Sequence, residues 1–134
     1  MIVVDTSVII NCVVGGEDAK HASAALMRDP EWLAPTLWRS EFCNYLATQM
    51  RFRGMPEEAA KLYWRDALDL LADRERQVEG ELVIHLAANS SCTAYDCEFV
   101  ALARSLSLDL VTTDKQVLKA FPGIAVSLSA FAKG

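Results

Sequence analysis

The chain has 134 residues, 52% of them hydrophobic, enough for one domain over 1–134 that buries roughly two-thirds of the surface its unfolded form exposes. A formal net charge of −5 argues on its face against a polyanionic partner, and no uncharged apolar run is long enough to span a membrane. Four cysteines, Cys12, Cys43, Cys92 and Cys97, form no C-x-x-C pair and lack a histidine at ligand spacing, which excludes a disulfide framework and a zinc finger; with Cys12 and Cys43 among apolar neighbours, the four read as buried thiols of a reducing cytoplasm.

The opening Met1–Asp5 is short, β-branched and apolar, as expected of a strand buried on both faces, and without a basic run it is not a signal peptide. Thr6-Ser7 then offers an N-cap for a helix over Val8–Val14, which Gly15-Gly16 ends. A polar helix is predicted from Asp18 to Arg28, stopped by Pro30, and a short strand at Trp32–Ala34, closed by Pro35. From Thr36 to Arg53, Trp38, Phe42, Tyr45, Leu46 and Met50 recur at helical spacing until Gly54. Pro56 opens an amphipathic helix that runs to about Asp73, with Glu57-Glu58 at its positive end.

Residues 74–79 are charged and read as neither helix nor strand. Helices are predicted for Gly80–Asn89 and Ala94–Leu106, a strand for Asp109–Thr112, a helix for Asp114–Phe121 and a strand for Ile124–Ser127. Short apolar strands alternating with helices imply an α/β fold with helices on both sides of a parallel sheet. Gly15-Gly16 is followed by no Gly-Lys-Ser/Thr, which excludes a P-loop, and Asp5-Thr-Ser7 lacks the second acid of a phosphoaspartyl phosphatase. His21 and His85 have no partners at useful spacing, and Trp32, Trp38 and Trp64 read as packing residues.

Four acids stand where carboxylates are costly to desolvate. Asp5 ends the first strand, at the edge where parallel sheets gather ligands; it also reads as a helix cap. Glu41 lies in the apolar sector of its helix, three residues after Trp38, where Asn44 one turn on is placed to orient it; the alternative is an ion pair with Arg39. Asp96 heads the most apolar helix, aligned with Phe99, Val100 and Ala103, although the helix dipole alone favours an acid there. Asp114 follows a strand and precedes a helix, and reads either as a cap or as a site residue. Gathered in one cleft, four carboxylates repel one another and make sense with divalent cations; oxygen-only donors point to Mg²⁺ or Mn²⁺. Setting them aside nearly balances the net charge, and Arg39, Arg51, Arg53, Lys61 and Arg65 then make a locally basic surface available.

Four blocks carry a resemblance that spans essentially the whole chain: Val3-Val-Asp-Thr-Ser-Val8, Ala34-Pro-Thr-Leu-Trp-Arg-Ser-Glu-Phe-Cys-Asn44, Tyr95-Asp-Cys-Glu-Phe-Val-Ala-Leu-Ala103 and Leu110-Val-Thr-Thr-Asp114. In order and spacing they resemble PIN-domain nucleases, and among these the VapC-type toxins of toxin–antitoxin pairs. The resemblance implies a three-layer α/β/α domain with a central parallel sheet. It also implies an acidic quartet of Asp5, Glu41, Asp96 and Asp114, with Ser7 and Thr112 as hydroxyl helpers, although Thr113 beside Thr112 leaves two candidates for the second hydroxyl. Cys97 and Phe99 stand where relatives more often carry Ala and Tyr.

The implied activity is Mg²⁺- or Mn²⁺-dependent hydrolysis of RNA that leaves 5′-phosphate and 3′-hydroxyl ends, with Arg39, Arg51 and Arg53 as candidates for holding the RNA backbone. The implied partners are RNA, a small antitoxin whose tail blocks the cleft, and a second copy in a homodimer, in a cytoplasmic protein with no membrane contact. Two alternatives stand beside this expectation: a PIN nuclease in RNA processing or DNA repair, and a non-catalytic binding module whose acids are caps and ion pairs.

Overall fold

A computed structural model describes residues 1–134. From Ile2–Val4 (β1) the chain runs through Thr6–Val13 (α1) and Ala19–Arg28 (α2) to Trp32–Pro35 (β2), then through Leu37–Arg53 (α3) and Glu57–Leu71 (α4) to Glu75–Arg76 (β3). Gly80–Ala88 (α5) and Ala94–Leu106 (α6) lead to Leu110–Thr112 (β4); Lys115–Ala120 (α7) leads to Ala125–Ser127 (β5), and Leu128–Lys133 (α8) follows.

The strands form one sheet in the order β3-β2-β1-β4-β5, and every neighbouring pair is parallel. Its centre is β1, where Val3 stands opposite Leu33 on one side and Leu110 on the other. Ile2, Val3 and Val4 are all buried, as a strand covered on both faces requires. Helices flank the sheet on both sides in three α/β/α layers, with α6 packed on β1, β2 and β4. A core of 30 buried residues, including Trp32, Trp38 and Phe42, fills the space between layers.

The connections set the position of any site. From β1 the chain moves outward to β2 and β3, then returns across the sheet to place β4 on the other side of β1. The strand order therefore reverses between β1 and β4, and the loops leaving their carboxyl ends diverge, opening a crevice where α/β sheets hold ligands.

The elements depart from expectation in three places. The first helix begins at Thr6 and its N-cap is Asp5, whose carboxylate accepts from the Val8 N–H, so Thr6-Ser7 is inside the helix. Residues 75 and 76 form an edge strand, Ala34 opposite Glu75 and Pro35 opposite Arg76, in a stretch whose charge hid it; charged residues at a sheet edge also hinder pairing with other chains. The terminal α8 is a single short helix capped by the Ser127 hydroxyl, too brief to show a periodicity. The cysteines are all free, but Cys43 is exposed and Cys12 half-buried, whereas Cys92 and Cys97 are buried.

Candidate active site

A cavity of about 300 Å³ opens at this crevice, and Asp5, Glu41, Asp96 and Asp114 all line it. Each arrives from a different element: Asp5 from the end of β1, Glu41 from the second turn of α3, Asp96 from the first turn of α6, and Asp114 from just beyond β4. No lysine, arginine or histidine lines the cavity, and none of the four acids makes a salt bridge. The negative charge has no protein counter-ion.

Asp5 lies deepest. Its Oδ1 accepts from Ser7 Oγ at 2.6 Å and from the Val8 N–H at 3.2 Å, and its Oδ2 accepts from the Thr112 hydroxyl. Burial raises its pKa from 3.8 to about 6; the bonds from Ser7, Thr112 and Val8 offset part of that rise, and the nearby charge of Asp114 adds to it. The hydroxyls extend as a chain: Thr113 Oγ1 donates to Ser7 Oγ at 2.8 Å, and the Asp114 N–H donates to Thr112 Oγ1 at 3.0 Å. Both threonines therefore take part, Thr112 directly on Asp5 and Thr113 through Ser7. Thr112 is wholly buried, so its hydroxyl needs such a partner.

Asp114 is at once a cap and a wall of the cavity. Its Oδ1 accepts from the backbone N–H groups of Gln116 at 2.8 Å and Val117 at 3.3 Å. Asp96 sits in the first turn of α6, where the N-cap is Thr93, whose hydroxyl takes the Asp96 N–H at 3.1 Å. The Asp96 carboxylate receives no hydrogen bond from the protein.

Glu41 is oriented by a residue that sequence reasoning passed over. Thr6 Oγ1 donates to Glu41 Oε1 at 2.7 Å. Because α1 begins at Thr6, consecutive hydroxyls point in different directions, Thr6 toward α3 and Ser7 toward Asp5 and Thr113. Asn44, expected to orient Glu41, makes no side-chain hydrogen bond to it and is exposed. Nor does Arg39 pair with Glu41: its Nε and Nη2 reach Glu75 at 2.7 and 2.6 Å, beside the edge strand. Arg51 and Arg53 are exposed near the end of α3 and line no part of the acidic cavity. Glu98, also unassigned from sequence, has its pKa raised by burial and by the neighbouring charge of Glu41. Its only sequence signal was an acid between Cys97 and Phe99 on an apolar helix.

The donor set is made of carboxylates and hydroxyls and suits a hard divalent cation. The carboxylates stand around the cavity wall, and no three acidic, imidazole or thiol groups enclose a single point. A magnesium ion does not require that, because it keeps several of its waters and commonly takes one or two carboxylates.

A family model described as PIN domain matches residues 2–123. Among solved structures, the crystal structure of PAE2754 from Pyrobaculum aerophilum is similar, with a TM-score of 0.74 and 22% identity over 98% of this chain and 92% of that one. FitAcB from Neisseria gonorrhoeae is similar at a TM-score of 0.75 and 16% identity, over 96% of this chain and 98% of that one. At such identities the structural likeness is one of fold. A comparison with curated proteins found no match.

Proposed function

The chain belongs to the PIN-domain family, whose members are generally nucleases, and we propose on that footing that it is a Mg²⁺- or Mn²⁺-dependent endoribonuclease, the toxin of a toxin–antitoxin pair. One observation carries the metal-dependent reading: four carboxylates from four elements line one cavity that holds no basic side chain. Burying such charge uncompensated is costly, and a bound cation is the compensation that an oxygen-only donor set provides.

In this reading Asp5, Glu41, Asp96 and Asp114 hold the metal. When bound, the cation neutralises the phosphate and acidifies a water. The chain's own residues prepare the site. Ser7 and Thr112 fix the Asp5 carboxylate, Thr6 fixes one oxygen of Glu41, and the N–H groups at the start of α7 fix one oxygen of Asp114. The remaining oxygens, Asp96 Oδ1 and Oδ2, Glu41 Oε2 and Asp114 Oδ2, are left without protein donors. Arg51 and Arg53 remain proposed contacts for the RNA backbone; Arg39 is engaged by Glu75. The toxin assignment rests on the resemblance of the four sequence blocks, and with it come a small antitoxin and a homodimer as proposed partners.

A second reading has support in the capping bonds of Asp5 and Asp114, which would also suit a non-catalytic module whose acids are structural. Cleavage of RNA in Mn²⁺ decides between them. The native chain is expected to cut, and Asp96→Asn, or native chain with chelator, to lose at least about a hundredfold in rate. Equal rates in all three would refute the nuclease, and calorimetry showing no Mn²⁺ binding would refute the metal site.

A further inference from the structure

The acidic cavity does not end at Glu41. A second, open groove of about 580 Å³ continues from it between α3 and the head of α6, sharing Thr6, Ser7 and Glu41 with the acidic cavity. Ile10, Leu37, Tyr45 and Tyr95 supply its apolar and aromatic surface, interspersed on the α3 side with Ser40, Asn44 and Thr48.

Three features indicate what fits there. First, Glu41 is the one charged residue in the lining, and no lysine or arginine joins it. A phosphate would be repelled, whereas a neutral planar group would not. Second, Tyr95 is 62% exposed although it adjoins Asp96 in the first turn of α6, and it stacks on no other aromatic ring. Packing therefore does not explain its large apolar face. Third, the Asn44 amide and the Tyr45 and Tyr95 hydroxyls have no hydrogen-bond partners within the protein, so the groove offers unspent donors and acceptors beside a π surface.

Resting on the nuclease reading above, we infer that this groove is a nucleobase subsite: Tyr95 stacks on the base of a nucleotide next to the scissile phosphate, and Asn44 reads that base's edge. Because the two cavities share Thr6, Ser7 and Glu41, a strand whose phosphate occupied the acidic cavity would bring a neighbouring base to the groove. Every base has a π-face, so the stack supplies affinity, while the amide supplies preference. The subsite also positions the phosphate, since anchoring one flanking base restricts how the strand lies over the four acids.

The test uses 5′-labelled single-stranded RNA of randomised sequence. Anisotropy is measured in Ca²⁺, with RNA integrity checked on a gel, for the native chain, Tyr95→Ala and Tyr95→Phe. Losing one base stack is expected to weaken binding roughly 5- to 100-fold in Tyr95→Ala, and Tyr95→Phe, which keeps the face, is expected to bind like native. Equal thermal midpoints establish that both variants fold. In Mn²⁺, sequencing of the cleavage products is expected to show a changed base preference beside the cut in Asn44→Ala. Native affinity in Tyr95→Ala, or an equal loss in Tyr95→Phe, overturns the stacking subsite. RNA binding that depends on Tyr95 without any cleavage in Mn²⁺ would instead sink the nuclease reading and leave the subsite standing. A native chain that binds no RNA overturns both.

Discussion

At Asp5 two demands oppose each other. The end of a buried strand withdraws its carboxylate from water, while two hydroxyls and a backbone N–H are aimed at it as though it were charged. Burial dominates, and the pKa stands at about 6 rather than 3.8. The raised value means that the folded chain binds this proton more tightly than the unfolded one does. The associated stability is therefore fully present below pH 3.8 and is lost as pH rises through about 6. At about 1.4 kcal/mol per tenfold change in acidity, ionised Asp5 costs the metal-free chain on the order of 3 kcal/mol at neutral pH. Asp5→Asn is accordingly expected to raise the thermal midpoint of metal-free protein at pH 7.5 and to lose that advantage near pH 4. Added Mn²⁺ is expected to stabilise the native chain and not Asp5→Asn. Calorimetric scans at the two pH values, with and without Mn²⁺, check this; a variant less stable than native at neutral pH without metal would contradict it. The same residue caps α1, so capping and site formation are not rival explanations: a cap at a strand's carboxyl end already faces the crevice.

The edge strand β3 depends on one cluster. Glu75 accepts from the indole N–H of the wholly buried Trp38 at 2.7 Å while holding Arg39 by two nitrogens. The Arg39 guanidinium, through its hydrogen bonds, is the largest influence holding the Glu75 carboxyl below its usual range. Exposed ion pairs contribute little, so the indole bond matters more. Glu75→Ala leaves a buried donor without a partner and is expected to cost about 1–3 kcal/mol in urea unfolding. Because the Glu75 pKa is lowered, its contribution is present above the usual carboxylate range and falls away in acid; the gap between native and Glu75→Ala should narrow as pH drops. Arg39→Ala is expected to lose under about 1 kcal/mol and to leave RNA affinity unchanged. A marked loss of RNA binding would return Arg39 to the RNA-contacting set. The sequence from 74 to 79 reads as neither helix nor strand because this strand is made by partners on β2 and α3, not by its own residues.

For the molecule as a whole, the four carboxylates of one cavity account for nearly all of the net charge of −5, so in the nuclease reading a bound cation would remove most of the net repulsion of an anionic substrate. Apolar surface also lies between α3 and α4, in a groove lined by Leu46, Met50, Ala60 and Trp64, and Phe52 and Leu62 are exposed on the same two helices, outside the groove. Patches of this kind mark interfaces. Sedimentation equilibrium is expected to show a dimer that Met50→Asp, at the exposed rim of this groove, dissociates; a monomeric native chain would count against it. Much of this was legible in the residues alone. Hydrophobic periodicity and the turn signals determined nearly all the elements, and strand ends and helix faces marked Asp5, Glu41, Asp96 and Asp114, because these are local properties of successive side chains. Tertiary structure alone decided that the four acids share a cavity, that Thr112 reaches Asp5 across 107 positions, and that Thr6 rather than Asn44 holds Glu41. Those outcomes depend on which strands become neighbours and on how each helix is rotated about its axis, and no local pattern encodes either.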